Sequence, residues 1–245
     1  MRWKRWVVAV SLVLLLAGIG FVAWAETPAA PMPAALVALH SDAQVKVEDR
    51  GSLLVFSPSG SVPQAGLIFY PGGRVDFRAY APAAHAIAQH GYLAAIPKMP
   101  LNLAVLAPNT AQQIIAAFPE VRRWAIGGHS LGGAMAAQFV ATHPTAAQGL
   151  ALWAAYPPDN ASLATWNGQV VSIAGTLDGR ATPATIEASK PLLPPSTRFV
   201  VIEGGNHAQF GDYGPQRGDN PATISAEEQR RQAVAATVQL LTSLK

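Results

Sequence analysis

The pentapeptide Gly128-His129-Ser130-Leu131-Gly132 lies between a short apolar run, residues 124–127, and a longer helical stretch, residues 131–142. In the arrangement G-x-S-x-G, small residues two positions either side of the serine leave room for a sharp, strained strand-to-helix turn. Such a turn lifts the hydroxyl above the sheet, and the N-terminus of the following helix faces any negative charge that develops there. The pentapeptide therefore predicts a strand–turn–helix unit with Ser130 as a nucleophile.

Short apolar runs alternate with helical stretches on both sides of this unit, which predicts βαβ units. The runs after the first two are continuously apolar, as expected for parallel strands buried on both faces. The fold class predicted is α/β, with a mostly parallel sheet and helices on both faces. Strands are predicted at 45–47 and 53–56 (an antiparallel opening hairpin), 66–70, 92–96, 124–127, 149–153, 170–174 and 198–202. Helices are predicted at 80–90, 110–118, 131–142, 183–189 and 226–241.

A serine hydroxyl needs a general base, and that base needs an orienting acid. His207 follows the predicted strand 198–202 in a loop at the carboxyl end of the sheet, which makes it the candidate base. Asp178 follows the strand 170–174 and is the favoured acid, in the chain order serine, acid, histidine. Asp159, after the preceding strand, is the alternative acid.

An oxyanion hole requires two backbone N–H groups directed at one oxygen atom. The residue after the nucleophile, Leu131, supplies the first. The second is expected from the turn after the strand 66–70, with Gly73 the first choice and Gly72 the second. Arg74 in the same turn, and Tyr156 after the strand 149–153, are candidate substrate-binding residues.

The N-terminus accounts for the basic balance of the chain. Three of its 17 Lys and Arg residues are Arg2, Lys4 and Arg5, so the remaining basic residues equal the 14 acidic ones in number. No cluster of basic residues elsewhere resembles a nucleic-acid-binding surface, so a nucleic-acid partner is not expected. The following uncharged run, residues 7–25, would span roughly 28 Å as a helix, close to the thickness of a bilayer core.

These features predict a single N-terminal membrane pass within residues 1–26, with the rest of the chain extracytoplasmic. The alternative is a signal peptide cleaved near Ala25, because Ala23-Trp24-Ala25 has the small-x-small form of a cleavage site. Residues 27–35 are rich in proline and alanine and predict a linker, and residues 36–245 form the remaining domain.

The chain resembles the α/β-hydrolase fold family, and in particular its compact members related to dienelactone hydrolases and small carboxylesterases. The residues that carry the resemblance are Tyr70-Pro71-Gly72-Gly73, the Ser130 pentapeptide, Asp178, and His207 within Gly204-Gly205-Asn206-His207. The resemblance implies a Ser130–His207–Asp178 triad and hydrolysis through an acyl-enzyme. Pro71 departs from the family, since many of its esterases have histidine before the glycines. The stretch between residues 153 and 170 is too short for a substantial cap domain.

The resulting hypothesis is a serine hydrolase that acts on small-molecule carboxylic esters. Because the chain has no cysteine, a cysteine nucleophile and thiolate metal sites are excluded. The serine mechanism implies neither a cofactor nor a metal, so none is expected. Two alternatives remain. One is an acyltransferase or peptidase with the same triad, and the other is a non-catalytic binding protein that keeps the fold.

Overall fold

The computed structural model describes residues 2–244, and their side chains except those of residues 2, 4, 5 and 8. The first residue of the predicted segment 1–26 and the last residue of the predicted domain 36–245 therefore lie outside the described residues. The side chains of Arg2, Lys4 and Arg5, the predicted basic flank of the apolar run, lie outside them as well.

Within residues 2–244, helices and strands alternate along most of the chain. The strands are β1 Val45–Asp49, β2 Leu53–Pro58, β3 Ala65–Tyr70, β4 Leu93–Pro97, β5 Arg123–His129, β6 Gly149–Trp153, β7 Gln169–Gly175 and β8 Arg198–Ile202. The α-helices are α1 Arg2–Ala25, α2 Pro33–Val37, α3 Ala81–Gln89, α4 Thr110–Ala117, α5 Leu131–Thr142, α6 Pro183–Ser189 and α7 Ala226–Ser243. Single 3₁₀ turns include Phe77–Tyr80 and Ala208–Phe210.

All of these strands join one sheet, in the order β1-β2-β4-β3-β5-β6-β7-β8. β2 pairs antiparallel with β1 and with β4, and every pairing from β4 to β8 is parallel. The predictions of an antiparallel opening hairpin and a mostly parallel sheet are confirmed. The stretch from residue 154 to residue 168 contains no described helix or strand, so this part of the chain forms no substantial cap domain.

The sheet is buried on both faces, which explains why its strands are apolar throughout. Along β3, Leu67 and Phe69 belong to one hydrophobic core, whereas Ile68 and Tyr70 belong to the other. Successive strand residues point to opposite faces, so both sets must be apolar. Helices α3 and α7 cover the first face, and α4 and α5 cover the second.

The N-terminal helix α1 stands apart from these two cores, and its described hydrophobic side chains, from Trp3 to Trp24, are exposed. Among the described residues, no helix combines the length and the apolar character needed to cross a membrane. The proline-rich segment after α1 lies on the domain. Within the predicted linker 27–35, Ala29 forms a bridge to Val75, and residues from Pro33 onward begin α2.

The turn from β5 to α5 packs closely against the end of β3. Ser130 adopts φ 53° and ψ −123°, a conformation that a residue with a side chain rarely adopts. A Cβ atom on Gly132 would overlap the carbonyl oxygens of Tyr70 and Pro71 at the end of β3. The small residue therefore lets the start of α5 lie directly against β3.

Replacing Gly132 with alanine should destabilise the protein, because the added methyl group must displace two backbone carbonyls. We expect a loss of about 1–3 kcal/mol in the free energy of unfolding, measured by denaturant titration. Gly18→Ala is the matched control, since a Cβ there has no neighbour within 4 Å. Equal stability of Gly132→Ala and the wild type would contradict the packing described for this turn.

Candidate active site

The predicted residues Ser130, His207 and Asp178 lie together beyond the carboxyl ends of β5, β7 and β8. His207 Nδ1 donates to Asp178 Oδ2 at 2.9 Å, and both side chains are almost fully buried. Because Nδ1 carries the proton of this bond, Nε2 is left as the basic nitrogen. Nε2 has no hydrogen-bond partner among the described residues. Ser130 and His207 line the same cavity of about 340 Å³.

Asp178 is held by the backbone of its own loop. Its Oδ1 accepts the N–H groups of Arg180 and Ala181, both at 2.8 Å, while Oδ2 accepts from His207. These three donors fix the plane of the carboxylate. The alternative acid, Asp159, lies in an exposed turn and forms no hydrogen bond to His207.

The loop that carries His207 is held by two side chains that sequence analysis did not select. Buried Gln229 of α7 accepts the N–H of Asn206 at 3.0 Å and donates to its carbonyl at 2.7 Å. Asp219 accepts the N–H of Gly179 at 3.0 Å and of Ala208 at 2.8 Å, so it connects the loop of the acid to the loop of the histidine. Asp219 follows His207 in the chain, so it falls outside the order serine, acid, histidine that is expected of a triad acid.

The two predicted oxyanion donors, Gly73 and Leu131, lie next to each other. A Cβ atom on Gly73 would lie 3.0 Å from the Leu131 side chain, so the two backbones are close. Neither the Gly73 N–H nor the Leu131 N–H has a hydrogen-bond partner within the described chain. The second choice, Gly72, donates its N–H to the Tyr80 hydroxyl at 3.0 Å. Gly73 and Leu131 are therefore the pair whose N–H groups are open to a ligand.

Tyr80 and His129 connect the Gly72–Gly73 turn to the nucleophile turn. The Tyr80 hydroxyl accepts from Gly72 N–H and lies 2.8 Å from His129 Nδ1. Burial raises the pKa of Tyr80, so this hydroxyl keeps its proton and donates it to His129. Burial, followed by the positive charge that the adjacent His207 can carry, lowers the pKa of His129 well below its usual value, so its ring is neutral.

The two predicted substrate-binding residues differ in their surroundings. Tyr156 is partly exposed and lines the 340 Å³ cavity with Ser130 and His207. Arg74 lines a second cavity of about 670 Å³, which Ser130, Leu131 and Gly73 also line. The guanidinium of Arg74 donates to the carbonyls of Trp24 and Thr27 rather than standing free in that cavity.

Two further observations delimit the site. A cavity of about 830 Å³ lies near the amino ends of β6 and β7, and it contains none of the predicted site residues. Within residues 2–244, no three His, Asp or Glu side chains cluster in a way that could hold a metal ion.

Comparisons with known proteins agree with this architecture. The chain is similar in structure to a dienelactone hydrolase from Anabaena variabilis (TM-score 0.60, 16% identity, 81% of this chain and 99% of that chain). It is also similar to an esterase from the planctomycete Thermogutta terrifontis (TM-score 0.55, 16% identity, 81% and 93%). A third similar structure is the esterase domain of a Rhodothermus marinus protein (TM-score 0.57, 13% identity, 81% and 97%).

At these identities, the similar structures show a common fold. No curated protein matches the chain in sequence. The model of the alpha/beta hydrolase family matches residues 66–231, which is more than half of the chain and includes Ser130, Asp178 and His207. The predicted resemblance is thereby confirmed: the chain belongs to the alpha/beta hydrolase family.

Proposed function

We propose that this hydrolase is a serine esterase that cleaves carboxylic esters through an acyl-enzyme on Ser130, His207 and Asp178. The observation that carries the proposal is the hydrogen-bonding of the two ring nitrogens of His207. Its Nδ1 is bonded to Asp178, and its Nε2 is unpartnered within the described chain beside the cavity that Ser130 lines. A base oriented in this way and placed next to a serine is what nucleophilic catalysis requires.

In the proposed reaction, His207 Nε2 takes the proton of Ser130 while Oγ attacks the ester carbonyl. The oxygen that becomes negative lies between the N–H groups of Gly73 and Leu131, and the start of α5 adds a favourable dipole. His207 then protonates the leaving alkoxide oxygen, and the alcohol departs. In the second half, His207 accepts a proton from water as water attacks the acyl-enzyme, and Ser130 regains its proton.

Asp178 orients the base and stabilises its charged form. An ionised carboxylate at Nδ1 keeps the proton on that nitrogen, which leaves Nε2 free to act. It also offsets the positive charge that His207 acquires when Ser130 reacts.

Fluorophosphonate labelling tests the nucleophile. The wild type should be labelled at Ser130 and should hydrolyse p-nitrophenyl esters, whereas Ser130→Ala should not be labelled and should lose hydrolysis by ~10⁴-fold or more. A folded wild type that is neither labelled nor active on any ester would refute the proposed function.

Asp178→Asn and Asp159→Asn form a matched pair for the acid. The amide at position 178 would still accept the backbone N–H groups of Arg180 and Ala181, but its NH₂ group would turn His207 to the wrong tautomer. We expect kcat to fall by ~10⁴-fold for Asp178→Asn and by less than about twofold for the exposed Asp159→Asn. The reverse result would assign the acid to Asp159.

Tyr80→Phe tests the connection between the oxyanion turn and the nucleophile turn. Losing the hydroxyl leaves the Gly72 N–H and His129 Nδ1 unpartnered, so we expect about 1–3 kcal/mol less stability. Because Gly73 then loses its fixed direction, kcat should fall about tenfold while KM changes little.

Tyr70→Phe is the control for this variant. It also removes a buried hydroxyl with two backbone partners, Pro108 O and Ala111 N–H, but these lie outside the oxyanion turn. A similar loss of kcat in both variants would show that Tyr80 acts through general stability and not through the oxyanion turn.

The cellular location is a separate part of the proposal. We propose that the segment 1–26 is a retained membrane anchor, with the hydrolase domain on the extracytoplasmic side; this proposal rests on the sequence of the segment, since no described helix meets the length and apolar character needed to cross a membrane. The uncharged run 7–25 and its exposed described side chains support retention. Ala25 is also buried, and its carbonyl accepts from Asn102 Nδ2 at 3.0 Å, an unfavourable setting for cleavage at this residue.

N-terminal sequencing of the mature protein, together with alkaline carbonate extraction of membranes, tests this location. A retained anchor predicts a membrane fraction that resists extraction and an N-terminus ahead of residue 7. A mature N-terminus at Glu26 would contradict it.

A further inference from the structure

Two cavities meet at Ser130 and differ in size and in the catalytic groups that they contain. The larger, of about 670 Å³, contains Gly73 but not His207. The smaller, of about 340 Å³, contains His207 but not Gly73. Ser130, Leu131 and Arg180 line both. The candidate nucleophile therefore stands at the junction of two unequal spaces.

The segment after the N-terminal helix forms part of the wall of the larger cavity. Four residues of this part of the chain line the cavity, although they precede the first strand of the sheet in the chain: Trp24, Thr27, Pro28 and Ala29. None of these four residues lines the smaller cavity. We call residues 24–29 the entry segment.

Arg74 holds the entry segment against the oxyanion turn. Its Nε donates to Trp24 O at 2.9 Å, its Nη2 donates to Thr27 O at 2.7 Å, and its guanidinium lies 4.2 Å from the centre of the Trp24 ring. Carbonyls at the end of a helix have no intrahelical donors, so a cation there is stabilising. Arg74 directly follows Gly73, so the segment is fixed relative to the proposed oxyanion donor.

Backbone contacts make the same connection independently of this side chain. The Ala29 N–H donates to Arg74 O at 2.7 Å, and the Asp76 N–H donates to Ala29 O at 3.1 Å. Asn102 Nδ2 donates to the buried Ala25 carbonyl at 3.0 Å. The entry segment is thus attached at several points, as a built wall of the cavity would be.

The chemistry of ester cleavage assigns the two cavities. The leaving oxygen must receive its proton from His207 Nε2, so the alcohol lies on the side of the smaller cavity. The carbonyl oxygen lies at Gly73 and Leu131, and the acyl group extends into the larger cavity. This assignment rests on the proposed esterase function.

We propose that the entry segment is a specificity-determining wall of an acyl-binding subsite, and that the protein prefers esters whose acyl group is larger than their alcohol. Trp24 provides the apolar face against which the far end of the acyl chain packs. Arg74 is a positioning residue in this arrangement, since it acts by holding Trp24 and Thr27.

Two ester series tested on the full-length protein in detergent micelles separate the subsites. One keeps the p-nitrophenyl leaving group and varies the acyl chain from acetate to octanoate. The other keeps a butyrate acyl group and varies the alcohol from methyl to hexyl. Wild-type kcat/KM should rise with acyl length and should fall as the alcohol lengthens.

Trp24→Ala should lower kcat/KM for octanoate about tenfold, leave acetate within about twofold, and leave the alcohol series unchanged. Trp6→Ala is the matched control, because it removes the same side chain from the same helix at a position that lines neither cavity. Its two profiles should equal those of the wild type. Should Trp24→Ala fail to fold, Ala29→Phe provides a second test, because the larger side chain narrows the same cavity. It should likewise lower kcat/KM for octanoate more than for acetate.

The outcomes distinguish this proposal from the one on which it rests. An active enzyme whose acyl profile is unchanged in Trp24→Ala and Ala29→Phe, or shifted equally in Trp6→Ala, would overturn the subsite and leave the esterase function standing. A shift confined to the alcohol series would also overturn it. A wild type inactive on every ester would overturn both.

Discussion

The candidate active site depends on one constraint, the backbone of Ser130 at φ 53° and ψ −123°. A conformation of this kind costs of order 1–3 kcal/mol and persists only where its surroundings determine it. Two contacts do so here. The Ser130 N–H donates to Trp153 O of β6 at 3.0 Å, and the absence of a side chain at Gly132 lets α5 lie against the end of β3. The strain is thus offset by the packing of β5 and α5, the two elements that flank Ser130.

The same close approach places the oxyanion turn. Because α5 rests on the carbonyls of Tyr70 and Pro71, the next residues of that turn, Gly72 and Gly73, lie beside the candidate nucleophile turn. Tyr80 then fixes the direction of Gly72, and Arg74 fixes the other end of the turn. On the opposite side, Asp219 and Gln229 bind backbone groups of the acid and histidine loops. Hydrogen bonds therefore hold the acid loop to the histidine loop through Asp219, and hold the Gly72–Gly73 turn to the Ser130 turn through Tyr80 and His129.

Sequence analysis could predict the features that are encoded locally. Continuous apolar runs reflect a sheet buried on both faces, so the fold can be predicted from the sequence. The G-x-S-x-G turn depends only on neighbouring residues, so the position of Ser130 can be predicted as well. His207 and Asp178 followed from chain order, and the structure brings both together, although their catalytic roles stay predictions. Arg74 was selected only as a residue near the end of a strand. Its bonds to Trp24 and Thr27 exist because α1 ends against that loop, which no local pattern indicates.

The sequence does not indicate the hydrogen bonds formed by four further residues, for a related reason; these residues are Tyr80, His129, Asp219 and Gln229. Each acts on a backbone or ring atom that is distant in sequence, as when Gln229 binds Asn206 or Tyr80 meets His129. Residue type and spacing do not indicate hydrogen bonds between residues that are distant in sequence. A buried tyrosine or glutamine is usually a satisfied core residue, and these are satisfied too; what distinguishes them is the identity of the partner.

The two neighbouring histidines, His129 and His207, have different surroundings, and this difference determines which of them can become charged. The rings of His129 and His207 lie 4.5 Å apart, so a charge on both would be strongly unfavourable. His129 faces a tyrosine hydroxyl and has a pKa well below its usual value, whereas His207 faces the carboxylate of Asp178. In the proposed reaction the positive charge must therefore form on His207, where Asp178 stabilises it. The neutral His129 can still accept the hydrogen bond from the Tyr80 hydroxyl. This bond keeps the proposed oxyanion turn in place while the positive charge forms on the adjacent His207.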